Sequence, residues 1–124
     1  MSALALVAVA VPLNAAQLTD QNKQFLAAYD KVHHALASDD LTAAKTAAGE
    51  LGSDGAELAK SRSLKEARAA FEKLSAKARE IAAGQSGYYV YHCPMLKKDW
   101  VQTSSKTMNP YGGKDMIGCG EIQK

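Results

Sequence analysis

The stretch SLKEARAAFEKLSAKAREIA, residues 63–82, carries the most regular periodic pattern in the chain. Its apolar residues recur at spacings of three and four, which places them on one face of an α-helix. These residues are Leu64, Ala67, Phe71, Leu74, Ala78 and Ile81. Ser63 and Glu66 form a capping-box pattern at the start of the helix, and Gly84 ends it.

Two further helical patterns precede this stretch. In the first, Thr19 is available as the N-cap, and an apolar face repeats every three or four residues. That face contains Phe25, Tyr29, Val32 and Leu36. The second helix begins after Asp39 and Asp40 and carries Leu41, Ala44, Ala48 and Leu51, and a short helical turn over 57–60 follows. We therefore predict a mainly all-α fold, an antiparallel bundle of three to four helices with a small C-terminal loop or β-ribbon cap.

Length and charge limit the classes of protein that fit. A chain of 124 residues has room for one domain. The net charge of +2 is too small to predict a nucleic-acid surface, and the basic residues are dispersed. Charged pairs on the last helix, such as Arg68 with Glu72, predict a solvated face.

The first 16 residues contain no charged residue and an apolar run of signal-peptide length. This run is too short to span a bilayer, so we expect no integral membrane segment in the mature chain. We predict an atypical signal peptide over 1–16 and an exported protein of the periplasm or cell envelope. The alternative is an apolar N-terminal helix that packs on the domain.

The remaining residues, 17–124, are predicted to form a single domain with two parts. Residues 17–86 form the helical bundle, and residues 87–124, which we call the cap, contain both cysteines, three of the four methionines and the single tryptophan. The aromatic and branched residues of 88–91 are typical of a strand, and the Pro and Gly residues that follow favour turns. We therefore expect the chemistry of the protein in the cap.

Two sulfur-bearing clusters lie in the cap, His92-Cys93-Pro94-Met95 and Met116-Ile117-Gly118-Cys119-Gly120. Thiolate, thioether and imidazole ligands suit a soft ion, so the clusters predict a site for Cu(I), with Ag(I) as a second candidate. The expected ligands are Cys93, Met95, Met116 and Cys119, with His92 optional. Zinc fits less well, because thioethers bind it weakly and a closed zinc site needs four Cys or His ligands.

A disulfide is the alternative use of the two cysteines. Two cysteines in an exported protein often form a disulfide, and closing a loop of about 27 residues contributes on the order of 3 to 4 kcal/mol in the chain-entropy model. The methionines can equally be packing residues of the cap. Under this interpretation the chain is a disulfide-linked interaction module that binds no metal.

Other residues do not predict an enzyme. His92 and Cys93 are adjacent on a predicted strand, so their side chains point to opposite faces and cannot act as a nucleophile and base pair. His33 lies beside the buried face of the first helix, where we expect a hydrogen-bonded histidine at the edge of the core, with a second metal site as the alternative. His34 is predicted to face solvent.

Taken together, these separated motifs resemble a bacterial domain family of unknown function that is associated with heavy metals. That family occurs as small exported proteins and as a C-terminal extension of periplasmic adaptors of copper and silver efflux pumps. The resembling residues are Phe25, Tyr29, Ala35-Leu36, Asp39-Asp40, Phe71 to Ser75, Cys93-Pro94-Met95, Trp100, Asn109 to Gly113 and Met116 to Gly120.

The resemblance implies that the four sulfur ligands lie close together in space and that an efflux adaptor is a partner. The stretch around Cys93-Pro94-Met95 is also similar to a short heavy-metal-binding motif of copper pumps, although Leu96 replaces the His that follows Met in that motif. We therefore predict sequestration of copper or silver, or its handover to an efflux system. The Ala-rich helices also allow a homodimer.

Overall fold

A computed structural model describes residues 17–123 of the chain. The predicted signal peptide, 1–16, lies outside the described residues. The fold is mainly helical with a small antiparallel sheet, as predicted in its coarse outline. The helices are α1 (Asp20–Ala37), α2 (Leu41–Gly49), α3 (Ala56–Ala59) and α4 (Leu64–Ala82), and the strands are β1 (Tyr89–Cys93), β2 (Lys98–Gln102) and β3 (Glu121–Ile122).

Side chains just before three of the helices cap their free backbone N–H groups. Thr19 Oγ1 accepts from the Asn22 N–H at 3.1 Å, and Asp40 Oδ1 accepts from the Ala43 N–H at 3.0 Å. Ser63 Oγ accepts from the Glu66 N–H at 3.1 Å. The Glu66 carboxylate accepts from the backbone N–H of Arg62. These caps place the helix starts where the sequence predicts them.

The helices pack through the apolar faces that their sequences predict. Every member of the α1 face, Phe25, Tyr29, Val32 and Leu36, is buried. The Tyr29 ring stacks on Phe71 of α4 with the ring centroids 4.7 Å apart. Helix α1 contacts both α2 and α4, and β2 packs against α4. The cap therefore shares one core with the helices.

The sheet has the strand order β2-β1-β3, and both pairings are antiparallel. Within the β1–β2 hairpin His92 lies opposite Asp99, and Cys93 lies opposite Lys98. Tyr91 and Cys93 face the core, whereas His92 between them is half-buried on the other face. The short strand β3 brings the end of the chain beside β1, next to Cys93.

The prediction that Arg68 pairs with Glu72 on a solvated face is wrong. Arg68 is only 19% exposed, and its guanidinium donates to Asp39 Oδ1 at 2.7 Å and to two backbone carbonyl oxygens. Glu72 instead pairs with Lys98 of β2 at 2.7 Å. Helical spacing alone cannot show that the cap and the end of α1 offer Arg68 a better set of acceptors.

Within the described residues, no helix is both long enough and apolar enough to cross a membrane.

Candidate metal centre

The two cysteines meet in the folded chain. Cys93 is the last residue of β1 and is fully buried, and Cys119 lies just before β3 and is half-buried. Their sulfur atoms are 2.6 Å apart, although 26 positions separate the residues in sequence. Both are free thiols in this structure. We call these two residues the thiol pair.

A tight turn after Cys93 directs backbone N–H groups at its sulfur. The Lys97 N–H donates to the Cys93 carbonyl oxygen at 2.8 Å, and Lys97 has a φ of 55° in the left-handed region. Inside this turn the N–H groups of Met95 and Leu96 donate to the Cys93 sulfur. Such donors favour a negative charge on sulfur, because they replace hydrogen bonds that a thiolate makes with water.

Asn109 holds the second half of the site in position. It is fully buried, and its side-chain amide donates to the Cys119 carbonyl oxygen at 2.9 Å. Its side-chain oxygen accepts from the N–H groups of Tyr111 and Gly112 at 2.9 and 3.0 Å. Asn109 therefore fixes the loop that carries Cys119 against the turn that follows it. The sequence marks Asn109-Pro110 only as a turn and does not indicate this contact.

Gly120 allows the chain to pass close to the core beside Cys119. A Cβ atom at this position would lie 2.6 Å from Cη2 of Trp100 and 2.9 Å from Cγ2 of Thr107. Trp100 is fully buried, so its ring has little freedom to move away. The glycine is thus required for the position of the thiol pair.

The two thiols differ in acidity. Burial disfavours the Cys93 thiolate, but hydrogen bonds from Cys119, from the N–H groups of Leu96 and Met95 and from Asn109 outweigh it and lower the pKa of Cys93. The pKa of Cys119 is raised, because its thiol donates to Cys93 and is partly desolvated. The two thiols therefore titrate as a coupled pair, in which Cys93 loses its proton more readily than Cys119.

The other predicted ligands differ in exposure and in the contacts that they make. The Met95 side chain is 76% exposed at the turn after Cys93. Met116 is half-buried against the core, and its carbonyl oxygen accepts from the Cys119 N–H at 2.9 Å. His92 points away from Cys93 on the opposite face of β1, where its Nδ1 lies 2.6 Å from Asp99 Oδ1. The structure thus brings the two cysteines together and leaves His92 bonded elsewhere.

A second group of potential ligands lies on α1. Asp30, His33 and His34 each offer a ligand atom, and these three atoms lie within 4.8 Å of one another. His34 is half-exposed, as predicted, whereas His33 is almost fully buried. We did not predict a role for Asp30 from the sequence, although its i to i+3 and i to i+4 spacing to the two histidines indicates a shared helix face.

Comparison of the chain with protein-family models, with curated proteins and with solved structures gives no match. The resemblance to a heavy-metal-associated domain stays a prediction that rests on the motifs in the sequence.

Proposed function

We propose that this chain binds a soft monovalent metal ion, Cu(I) with Ag(I) as the second candidate, through Cys93 and Cys119. The observation that carries the proposal is the 2.6 Å contact between the two sulfur atoms. Two converging sulfurs, one of them with a lowered pKa that favours its thiolate, form a ligand pair that suits soft ions. The ion is the cargo of the protein in this proposal.

Access to the site comes from the side of Cys119. Cys93 is fully buried, whereas Cys119 is half-buried. An incoming ion would therefore meet Cys119 first and then Cys93. The thioethers of Met95 and Met116 are proposed as neutral, exchangeable ligands, which suits transfer of the ion to another protein.

Metal binding requires the sulfurs to separate. Metal–thiolate bonds are about 2.3 Å long, so an ion held between two opposed sulfurs places them roughly 4 to 5 Å apart. The side chain of Cys119 is suited to this movement, since it is half-buried while Asn109 holds the backbone of the residue. We expect Cys119 to move outward while Cys93 stays fixed by the turn that follows it.

The proposed physiological role is sequestration of copper or silver in the periplasm or cell envelope, or its handover to an efflux adaptor. The antiparallel arrangement of the helices as a bundle, and a homodimer through their Ala-rich surfaces, are part of this proposal. The helices supply the core on which the cap is built, because β2 packs against α4.

Anaerobic titration with Cu(I) against a chromophoric Cu(I) chelator tests the site. We expect Cys93→Ser and Cys119→Ser each to abolish tight binding, a loss of about a hundredfold or more, because each removes one of two thiolate ligands. Met95→Leu should weaken binding by a smaller factor. Met108→Leu is the matched control, since Met108 lies outside the proposed ligand set and should bind like the parent chain. Unchanged copper affinity in both cysteine variants would show the assignment to be wrong.

The same contact between the sulfurs also supports the second candidate function, a disulfide-linked interaction module. In that case the protein isolated from the envelope is about 2 Da lighter than the reduced chain and takes up no copper even after reduction. The cysteine variants would then lose stability by about 3 to 4 kcal/mol without any dependence on metal. A metal site instead predicts stabilisation that grows with the concentration of free ion.

A further inference from the structure

His33 is a buried histidine with one ring nitrogen bonded and the other free. Its side chain is 1% exposed, and Nε2 lies 2.6 Å from the carbonyl oxygen of Met108. A carbonyl oxygen can only accept, so Nε2 carries the proton. In the neutral ring Nδ1 then presents a lone pair, and this buried atom has no hydrogen-bond partner among the described residues. Buried polar atoms are nearly always satisfied, so an unpartnered lone pair indicates that something binds there.

The lone pair of His33 points toward a carboxylate and a second imidazole. Nδ1 lies 3.8 Å from Asp30 Oδ1, which is too long for a hydrogen bond, and Oδ1 is itself buried without a partner among residues 17–123. The other oxygen of Asp30, Oδ2, lies 3.5 Å from Nε2 of His34. Three electron-pair donors therefore converge with no proton donor between His33 and Asp30.

These separations are close to those of ligands around a single ion. Zinc–nitrogen and zinc–oxygen bonds are about 2.0 to 2.2 Å long, so in a tetrahedral site neighbouring ligand atoms lie roughly 3.3 to 3.6 Å apart. The observed separations of 3.8 and 3.5 Å are measured to different oxygens of Asp30, and one ligand atom from each residue lies within 4.8 Å of the other two. Side-chain rotations of about 1 Å would therefore bring three ligand atoms into that range. A metal-binding histidine usually donates its other ring N–H to a carbonyl or carboxylate oxygen, which fixes the orientation of the ring. The contact of His33 with the Met108 carbonyl oxygen is of this kind.

We propose that Asp30, His33 and His34 form a second metal site, separate from the thiol pair, for a divalent ion of borderline softness such as Zn²⁺. Two imidazoles and one carboxylate suit such ions, whereas monovalent copper and silver prefer sulfur. Three protein ligands leave a fourth position for water or for a group from another molecule. The half-exposed His34 places that position toward solvent.

This site is independent of the proposed function, because it uses none of the residues of the cap as ligands. Its ligands also lie on one helix, so the site is formed by local structure together with the single contact to Met108. Zinc binding here would therefore survive if the thiol pair proved to be a disulfide.

Zinc titration of the full chain, followed by NMR of the histidine ring nitrogens near neutral pH, tests the site directly. Before zinc is added, we expect His33 to show the tautomer protonated at Nε2. On addition of Zn²⁺, Nδ1 of His33 and Nε2 of His34 should shift together with one stoichiometric ion. His92 serves as the internal control and should not shift in step with them.

Two variants and a matched control complete the experiment. Asp30→Asn and His34→Ala change partly or half exposed residues, so both chains should fold, which circular dichroism verifies. Each should lower the zinc affinity by about tenfold or more, whereas Asp20→Asn on the same helix should leave it unchanged. If zinc shifts only His92 or no histidine, or if either ligand variant binds zinc like the parent chain, the assignment is wrong.

Discussion

Gly113 lies where the cap meets the end of α1, and its backbone conformation is one that only glycine adopts easily. Its φ is +63°, in the left-handed region. A Cβ atom there would overlap the Asp39 carboxylate and lie 2.7 Å from Nη2 of Arg68. The next residue, Lys114, donates its backbone N–H to Asp39 Oδ2 at 3.2 Å. Gly113 thus lets the cap approach an ion pair between the helices.

Replacing Gly113 with alanine is expected to destabilise the protein by about 2 kcal/mol or more. The left-handed backbone conformation is strained for alanine, and the new Cβ would push apart the ion pair of Asp39 and Arg68. Gly118→Ala is the matched control in the same segment, since Gly118 has no left-handed φ and an added Cβ there would meet no atom within 4 Å. Its effect should stay within about 0.5 kcal/mol. Urea denaturation of both variants measures the difference, and equal stabilities would contradict this account.

At the scale of elements, Arg68 joins α4 to the end of α1 and to the cap. Its guanidinium donates to the Leu36 carbonyl oxygen at 2.9 Å, to the Pro110 carbonyl oxygen at 2.8 Å and to Asp39 Oδ1 at 2.7 Å. The planar group has enough donors to satisfy three acceptors at once, which an ammonium on a flexible stem does less well. This junction connects three segments that are distant in sequence.

We expect Arg68→Met to destabilise the protein by about 2 kcal/mol or more, because two backbone carbonyl oxygens lose their donor. The comparison variant is Lys73→Gln, which removes an ion pair with Glu57 whose side chains are both mostly exposed. That change should cost no more than about 1 kcal/mol. Chemical denaturation of the two variants measures both losses of stability. A loss for Lys73→Gln as large as that for Arg68→Met would show that the Arg68 contacts contribute no more than an exposed ion pair.

The junction also predicts in which direction the stability of the protein changes as the pH falls. The Arg68 guanidinium beside Asp39 holds the pKa of that carboxyl below its ordinary value of 3.8. A lowered pKa contributes stability that is fully present above the value in the unfolded chain and is lost as the pH falls through the value in the folded chain. In the Arg68→Met variant this part of the acid dependence should become smaller, with the Lys114 N–H remaining as a donor to Asp39.

At the scale of the whole molecule, two tyrosines link the helices to the sheet through Ser75. The Tyr29 hydroxyl lies 2.8 Å from Ser75 Oγ and accepts from the Val101 N–H at 3.1 Å. The Tyr111 hydroxyl lies 2.9 Å from the same Oγ and 3.0 Å from the Asp99 carbonyl oxygen. Burial is the largest cause that raises the pKa of both phenols above the ordinary 10.0.

These raised pKa values predict alkaline unfolding of the whole domain. Above about pH 10 the unfolded chain releases both phenol protons while the folded chain retains them, so the free energy of unfolding falls as the pH rises. The stability due to the neutral phenols is fully present below that pH. Urea denaturation between about pH 8 and 11, together with tyrosinate absorbance, measures the effect.

Tyr29→Phe should reduce the slope of stability against pH by about one proton, or roughly 1.4 kcal/mol per pH unit in the alkaline range. Tyr89, which is 36% exposed, supplies the control variant Tyr89→Phe. If stability does not change with pH in this range, or if Tyr29 titrates like an exposed tyrosine before unfolding, the buried network does not act as described.

The helices and their limits could be predicted from the sequence because the determining interactions are local. Caps such as Ser63 lie within three residues of the N–H groups that they accept from, and an apolar stripe such as that from Phe25 to Leu36 repeats within one helix. The same holds for the first strand of the cap and for the exposure of His34, whereas β2 was not predicted. For the site, residue chemistry named the two cysteines as a pair but left the ligand and disulfide interpretations open.

The contact between the two cysteines and the orientation of His33 depend on the tertiary structure, whereas the spacing of Asp30, His33 and His34 on one helix is local. Cys93 and Cys119 meet because β3 pairs with β1 and Asn109 holds the connecting loop, and neither interaction has a local sequence signal. Among residues 17–123, His33 is hydrogen-bonded through one ring nitrogen, which reaches Met108, 75 positions away, and its other nitrogen has no hydrogen-bond partner. Local patterns determine which elements form, whereas side-chain partners depend on the acceptors that distant segments bring within a few ångströms.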